Sequence, residues 1–407
     1  MISWNLKSRN PCPIGLDIGL HSIKMIQLAV SEGRIAVVAA DETRLDADVD
    51  EDREERRRFI ISTIKRMLAE NKFHGRNVVS CLPNERVKIT SLRLAEMQPP
   101  QMEQALRREA ARRFGLDPDK DAINYILAGS VLHGDEVKNE LILFAADNET
   151  IKNHIAMLEE AQLRPVAIDV IPCALFRGFE RSFRRQEDRD RTTIFLDIGS
   201  CFTTVVFGRG GEICFVKQIA VGGSRFNHEI GARLGIDIHE VRMLRGRLRM
   251  EQNPPGLLPS SGGQIPAEDK ERLDASTRQV ILDAITTVAE EIVEEISLCL
   301  RYYTVTFRGK RVERVVFSGG EAYERILLDV LRQQLRIEVD VAQPLKGFDL
   351  PDGNVSTNLG SDKRGLFCEW AVAIGLSLKG FSGITDELAT PQMQKSGIES
   401  PDNNERN

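Results

Sequence analysis

Near the start of the chain the apolar positions run continuously instead of in helical steps. Residues 14–30 and 34–40 are rich in Ile, Val, Leu and Ala, and Gly15, Gly19 and Gly33 punctuate them. Such runs predict consecutive strands joined by tight turns. The period then changes. Between residues 53 and 72, Phe59, Ile60, Thr63, Ile64, Met67 and Leu68 recur at three and four among charges, which predicts a helix with one buried face. Residues 78–83 read as a return strand.

From 87 to 165 the order is strand, helix, strand, strand, helix, at 87–92, 101–114, 122–132, 140–146 and 151–162, a compact inserted unit. Pro99 and Pro100 stand where a first helical turn has no N–H to lose, and Gly115 is a stop after Phe114. A charged stretch, 181–191, separates two halves. The second half opens with apolar runs at 193–208 and 212–221 and turns helical after Gly222 and Gly223. Over residues 280–303, Ile281, Ile285, Val288, Ile292, Ile296 and Cys299 keep helical spacing, predicting a core helix. Residues 247–267 hold Pro254, Pro255, Pro259 and Pro266 with Gly256, Gly262 and Gly263, the composition of a mobile loop. The polar residues from 388 onward read as a disordered tail.

A chain of 407 residues with 42% hydrophobic and 29% charged residues is globular in composition and too long for one ordinary core, so two or more domains are expected. Lys and Arg number 55 against 61 Asp and Glu, a net charge of −6, which gives no basic field for wrapping nucleic acid. No run approaches the roughly 20 apolar residues of a membrane span, and residues 1–13 lack the apolar stretch of a secretory signal. A cytoplasmic protein is expected. The seven cysteines and six histidines show no metal-ligand spacing. Arg107, Arg108, Arg112 and Arg113 are interspersed with Glu103 and Glu109, the pattern of a solvated helix face.

The chemistry lies in a repeat. Leu-Asp-Ile-Gly occurs at 16–19 and again at 196–199, each time after apolar residues and before another strand-like run. Two such turns far apart predict two domains of similar construction facing each other. Glycine at a hairpin tip brings backbone N–H groups close to a phosphate and allows backbone conformations closed to other residues, while aspartate can hold a hydrated Mg²⁺. Ser22 and Lys24 follow the first turn, and Thr203 and Thr204 the second. A third feature, the strand 315–318 followed by Gly319, Gly320 and Glu321, lets backbone approach a flat base.

In order and spacing, these three turns resemble the two phosphate motifs and the adenosine motif of the actin and heat-shock ATPase superfamily. The inserted unit resembles the subdomain of FtsA and of the PilM family of type IV pilus assembly proteins. "LEEAQLRPVAIDVIPCAL", "VKQIAVGGSRFNHEIGARLGI" and "WAVAIGLSL" are similar to PilM segments. The resemblance implies an α/β, two-lobed actin-like (ribonuclease H-like) fold with an FtsA/PilM-type inserted α+β subdomain. Its parts are residues 1–86 and 166–190 as first lobe, 87–165 as insertion, 191–222 and 304–387 as second-lobe core, 223–303 as outer subdomain with the loop at 247–267, and 388–407 as tail. It implies ATP with Mg²⁺ held by Asp17 and Asp197. Gly19, Ser22, Lys24, Gly199, Thr203 and Thr204 would line the phosphates, Gly319, Gly320 and Glu321 the adenosine, and Arg242 and Arg245 the ribose region. Leu20, His21 and Glu321 stand where relatives carry small residues.

Where heat-shock relatives place a glutamate before a proline, this chain has Ile171 before Pro172, so weak or absent ATP hydrolysis is expected. The implied role is a cytoplasmic scaffold at the inner face of the inner membrane. It would dock the N-terminal tail of a PilN-like membrane protein, join other pilus platform components and reach the membrane only through that partner. Self-association, an FtsA-like filament protein and a sugar or acetate kinase of the same superfold are the alternatives the fold leaves open.

Overall fold

The computed structural model describes residues 10–31, 34–45, 53–133, 136–180, 191–252, 273–307, 311–350, 357–358 and 366–379. The expected tail at 388–407, the charged stretch at 181–190 and the expected loop beyond 252 lie outside them.

The opening apolar runs form a meander, β1 (Asn10–Ile18), β2 (Ser22–Ser31) and β3 (Arg34–Arg44). Helix α1 (Arg53–Glu70) returns the chain to β4 (Asn77–Leu82). The insertion follows with β5 (Lys88–Ala95), α2 (Pro99–Phe114), β6 (Ala122–His133) and β7 (Glu136–Ala146). Pro99 and Pro100 open α2, and Gly115 closes it in the left-handed region at φ 68°. Next come α3 (Asn148–Glu160), capped by the Asp147 carboxylate accepting from the Thr150 N–H, then β8 (Arg164–Val170) and α4 (Ile171–Glu180).

The second half repeats the plan with β9 (Thr193–Ile198), β10 (Thr203–Arg209) and β11 (Glu212–Ile219). Three helices follow, α5 (Gly223–Leu234), α6 (Ile238–Gln252) and α7 (Ala275–Thr306). The chain ends in β12 (Arg314–Ser318), α8 (Arg325–Leu335), β13 (Glu338–Val341), the two-residue β14 (Thr357–Asn358) and α9 (Ala371–Ser377).

The strand order β3-β2-β1-β4-β8 in one sheet matches β11-β10-β9-β12-β13 in the other. In both, the first two pairings are antiparallel and the last two parallel. The insertion is a separate sheet, β5-β7-β6, with α2 on one face.

Each lobe has its own core. The predicted stripe on α7 is buried in full, with Ile281, Ile285, Val288, Ile292 and Ile296 wholly inaccessible. At roughly 1.5–3 kcal/mol for each large aliphatic side chain, this helix is the second lobe's main support. Between the lobes α4 crosses α9, and both pack on Phe195 of β9 and Val79 of β4. The approach is close because Gly375 has no side chain, and a Cβ there would lie 1.8 Å from the Ala174 carbonyl oxygen.

Two expectations are corrected. The last helix of the expected 87–165 insertion, α3, packs into the first lobe, where Met157 and Leu158 join Ile14, Ile61 and Ile64. His154 of α3 also meets the Ser80 hydroxyl of β4 at 3.1 Å, and burial pushes the imidazole pKa down to about 4, keeping it neutral. Amphipathic spacing shows that α3 buries a face, not which neighbour receives it. The second correction concerns 247–267: its first residues, through Gln252, continue α6. Gly246 does not end the helix because Arg245 and Arg249 on either side are anchored by ion pairs.

Candidate functional site

The two Leu-Asp-Ile-Gly segments end β1 and β9 and turn into β2 and β10. Both turns close the same way. The Gly19 N–H donates to the Ser22 carbonyl at 2.9 Å and the Gly199 N–H to the Phe202 carbonyl at 3.0 Å. This changes the role expected of the two glycines. Neither adopts a positive φ, and both spend their N–H on the hairpin. What fixes the first tip is instead Arg56 of α1, whose Nη2 donates to the carbonyls of Gly19 and Leu20 at 3.0 and 3.1 Å. With those carbonyls drawn toward α1, the tip's shape is set from behind.

The aspartates occupy equivalent positions and differ in their cross-strand partner: Asp17 faces Lys24, and Asp197 faces Thr204. Lys24 is nearly buried. Its Nζ donates to Ser22 Oγ at 2.6 Å and pairs with Glu42 at 3.6 Å. Both aspartates are half-buried, and their charges meet across the cleft between the lobes. Burial foremost, then the Asp17 charge, pushes the Asp197 pKa up to about 6, against the pull of Lys24 and the Ser318 hydroxyl. Burial also raises Asp17, with Lys24 opposing and Glu42 adding. Two half-buried carboxylates with raised pKa values, one of them raised in part by the other's charge, form a place where a cation would be stabilised.

Thr203 is the clearest departure from the expected phosphate lining. It is fully buried, and its hydroxyl donates to the Val221 carbonyl at 2.7 Å. Thr204 is also buried, and its Oγ1 accepts from Asn84 Nδ2 at 3.2 Å. Asn84 further accepts from Gln218 Nε2 at 2.8 Å, so the segment between β4 and β5 is tied to the second lobe. Sequence gave no sign of this link.

At the other end of the cleft, Gly319 has φ 93°, and a Cβ there would meet the Ile198 carbonyl oxygen at 2.4 Å. Only glycine fits. Gly320 opens a short 3-10 turn, Gly320–Tyr323, and a Cβ on it would meet nothing. The residues expected to receive adenosine and ribose bond to each other. Glu321 Oε2 accepts from Arg245 Nη2 and Arg249 Nη2 at 2.5 Å each, and Glu324 Oε2 accepts from Arg245 Nη2 at 3.1 Å and Arg249 Nε at 3.0 Å. The Arg245 guanidinium lies over the Phe226 ring at 4.9 Å and donates to Asn227 Oδ1 at 2.9 Å. Arg242 belongs elsewhere. Its Nη2 donates to His21 Nε2 at 3.4 Å, closing the cleft mouth from lobe to lobe.

Further acids lie near this frame. Glu369 accepts from the Tyr323 hydroxyl and feels Lys24, linking the adenosine turn to the first hairpin. Asp169, the acid nearest Ile171 and Pro172, is held by Arg177 at 2.9 Å and Lys379 at 3.2 Å. It is a structural anchor. The Cys81 thiol, at the end of β4, is pushed well above its ordinary pKa by burial and then by the charges of Asp17, Asp169 and Asp197, which marks how closely the strand ends converge. The insertion meets the second lobe through Glu140, which accepts from Arg93 Nε at 2.7 Å and the Tyr302 hydroxyl at 2.5 Å.

Two lobes of the same strand order, an aspartate hairpin from each meeting in the cleft and a late glycine turn define the actin-like ATPase fold class. The sequence matches the family described as type IV pilus assembly protein PilM over residues 15–251 and 266–381. The chain belongs to that family. The structure is similar to a chain of a solved PilM-PilN type IV pilus biogenesis complex, with a TM-score of 0.70 and 22% identity over 90% of this chain and 98% of that one. Weaker likenesses are to the ethanolamine utilization protein EutJ from Carboxydothermus hydrogenoformans (TM-score 0.48, 13% identity, 91% and 90% covered) and to MreB5 of Spiroplasma citri bound to ADP (TM-score 0.43, 11% identity, 92% and 97% covered).

Proposed function

We propose that this protein is a nucleotide-gated scaffold of a type IV pilus assembly platform, docking the cytoplasmic N-terminal tail of a PilN-like inner-membrane protein. The observation that carries the nucleotide half is the meeting of Asp17 and Asp197 on matched hairpins, a pair of repelling carboxylates. These two would hold Mg²⁺ on the phosphates of ATP, with Ser22 and Lys24 beside them and Gly319 and Gly320 toward the adenosine. When bound, Mg²⁺ would add positive charge to that of Lys24, which alone leaves both carboxyl pKa values raised. Membership of the PilM family and the likeness to the PilM-PilN complex support the partner. Among the described residues no helix is long and apolar enough to cross a membrane, which fits attachment through that partner at the inner face of the inner membrane. Asp169 is already committed to two cations, and the matching turn itself carries Ile171 in place of an acid that could orient a water. Turnover by the protein alone is therefore expected to stay near background.

The test has two arms. Mg²⁺–ATP should raise the unfolding free energy by linkage, about 2.7 kcal/mol at one hundred times Kd, and Asp17→Ala should abolish the gain. Titration of the partner tail into the full chain should give micromolar affinity, about −8 kcal/mol. A tail that fails to bind with and without Mg²⁺–ATP overturns the scaffold reading, and an unaltered nucleotide gain in Asp17→Ala removes Asp17 from the site.

A further inference from the structure

The Glu321 carboxylate fills a space that the missing side chain of Gly223 leaves open. Gly223 opens α5 without a side-chain cap, and a Cβ built on it would sit 2.2 Å from Glu321 Oε1. Two guanidiniums converge on the carboxylate's other oxygen. The first turn of α5 offers the partial positive charge of a helix N-terminus. Burial works against the charged form of Glu321, yet Arg245 and Arg249 outweigh it and hold its pKa below the ordinary carboxylate value.

The neighbouring Glu324 is built to take over. It is wholly buried and bonds both arginines through Oε2, while Oε1 has no partner. Arg245 Nε is likewise buried and unpartnered. A cluster with one acceptor and one donor unspent can lose one carboxylate and re-form around the other. Glu321 is the member that can leave, being 12% exposed against 0% for Glu324.

We propose that Glu321 is a displaceable occupant of the nucleoside end of the cleft, which must swing off Arg245 and Arg249 before a nucleoside enters beside Gly223 and Gly319. The inference rests on the ATP-binding reading above. It gives the protein two arrangements of one ion cluster. In the closed arrangement Glu321 bridges α6 to the adenosine turn, and in the open one Glu324 alone holds both arginines and the ligand takes the space over Gly223. Affinity is then set by how often the gate stands open, because a ligand that needs a minor state binds more weakly by the fraction populated.

The experiment measures Mg²⁺–ATP and Mg²⁺–ADP binding by calorimetry to the full chain, to Glu321→Ala and to Glu321→Gln, with melting of each unliganded protein as the check on folding. If the gate is open about a tenth of the time, Glu321→Ala tightens both nucleotides about tenfold and by the same factor, since the gate acts at the nucleoside and not at the phosphates. Glu321→Gln, which keeps the shape and loses the charge, should fall between Ala and wild type, and it carries the test if the Ala variant does not fold. Wild-type binding that is equalled or weakened in both variants overturns the gate and leaves the ATP reading intact. Absence of binding by every form overturns both, while binding by the variants alone supports the gate.

Discussion

The two hairpins are copies in backbone and opposites in charge. Each ends the first strand of its sheet, each closes with the same glycine N–H bond, and each presents an aspartate in the same place. Across the strand, Asp17 meets a buried lysine and Asp197 a threonine. The first lobe thus carries its own counter-charge, shared among Asp17, Glu42 and Glu369. Among the described residues the second lobe sets no cation of its own beside its aspartate, and Asp197 is pushed up to about 6. A duplicated scaffold fixes where the two carboxylates stand, and the residue opposite each decides how much charge it keeps.

The largest expected effect comes from erasing that difference. Lys24→Thr gives the first hairpin the second one's pairing and leaves Asp17, Glu42 and Glu369 around a missing cation. Removing one partner of a buried ion pair costs about 3–5 kcal/mol, and denaturant unfolding should show a loss of that order. A loss below about 1 kcal/mol, the scale of an exposed pair, breaks the claim that the first lobe depends on this charge.

A smaller effect of opposite sign is expected in the second lobe. A carboxyl raised from 3.8 to about 6 binds more protons folded than unfolded between those values. Its contribution therefore favours folding at low pH and turns into a cost as pH rises through 6. Asp197→Asn should stabilise the unliganded protein at pH 7.5 by about 2 kcal/mol, discounted for the water that reaches the cleft, and the gain should vanish toward pH 4. Asp17→Asn should gain less, because it loses the attraction of Lys24. Thermal unfolding of both variants across pH 4–8 checks the order, and equal gains would mean the lysine does not distinguish the two turns.

Much of this was readable before any coordinates, and for a local reason. A hairpin motif is written in consecutive residues, and the α7 stripe is periodic over the whole helix, so both were legible in the chain itself. The superfamily resemblance followed from the order of the turns, and the family resemblance from the inserted unit and three consecutive segments. What the sequence hid is what depends on distant partners. Arg245 and Glu321 are 76 positions apart, and each alone reads as a polar residue awaiting a ligand, where the structure pairs them. Asn84 and Thr204 are 120 apart, and neither has a pattern that announces the other. A helix at 151–162 was legible as such, while its attachment to α1 and β4, outside the inserted sheet, required the fold.

The smallest effect isolates the tie between the lobes. Thr203 and Thr204 are adjacent on β10 and, by strand alternation, point to opposite faces. Thr203 donates inward to Val221, whereas Thr204 accepts from Asn84 across the lobes. Thr204→Val keeps the shape and removes one hydrogen bond to a half-buried amide, which water can partly replace, so the cost should be about 1 kcal/mol. Asn84 keeps its second link, to Gln218, and the two links share one side chain. Thr204→Val and Gln218→Leu should therefore be non-additive, with a coupling of about 0.5 kcal/mol or more. Thr203→Val, leaving a buried carbonyl without its donor, should cost about 1–3 kcal/mol and show no coupling to Gln218. Urea unfolding of the three single and two double variants decides it: if Thr204 and Gln218 prove additive, Asn84 is not a shared hinge pin, and the contact between the lobes at this point is incidental.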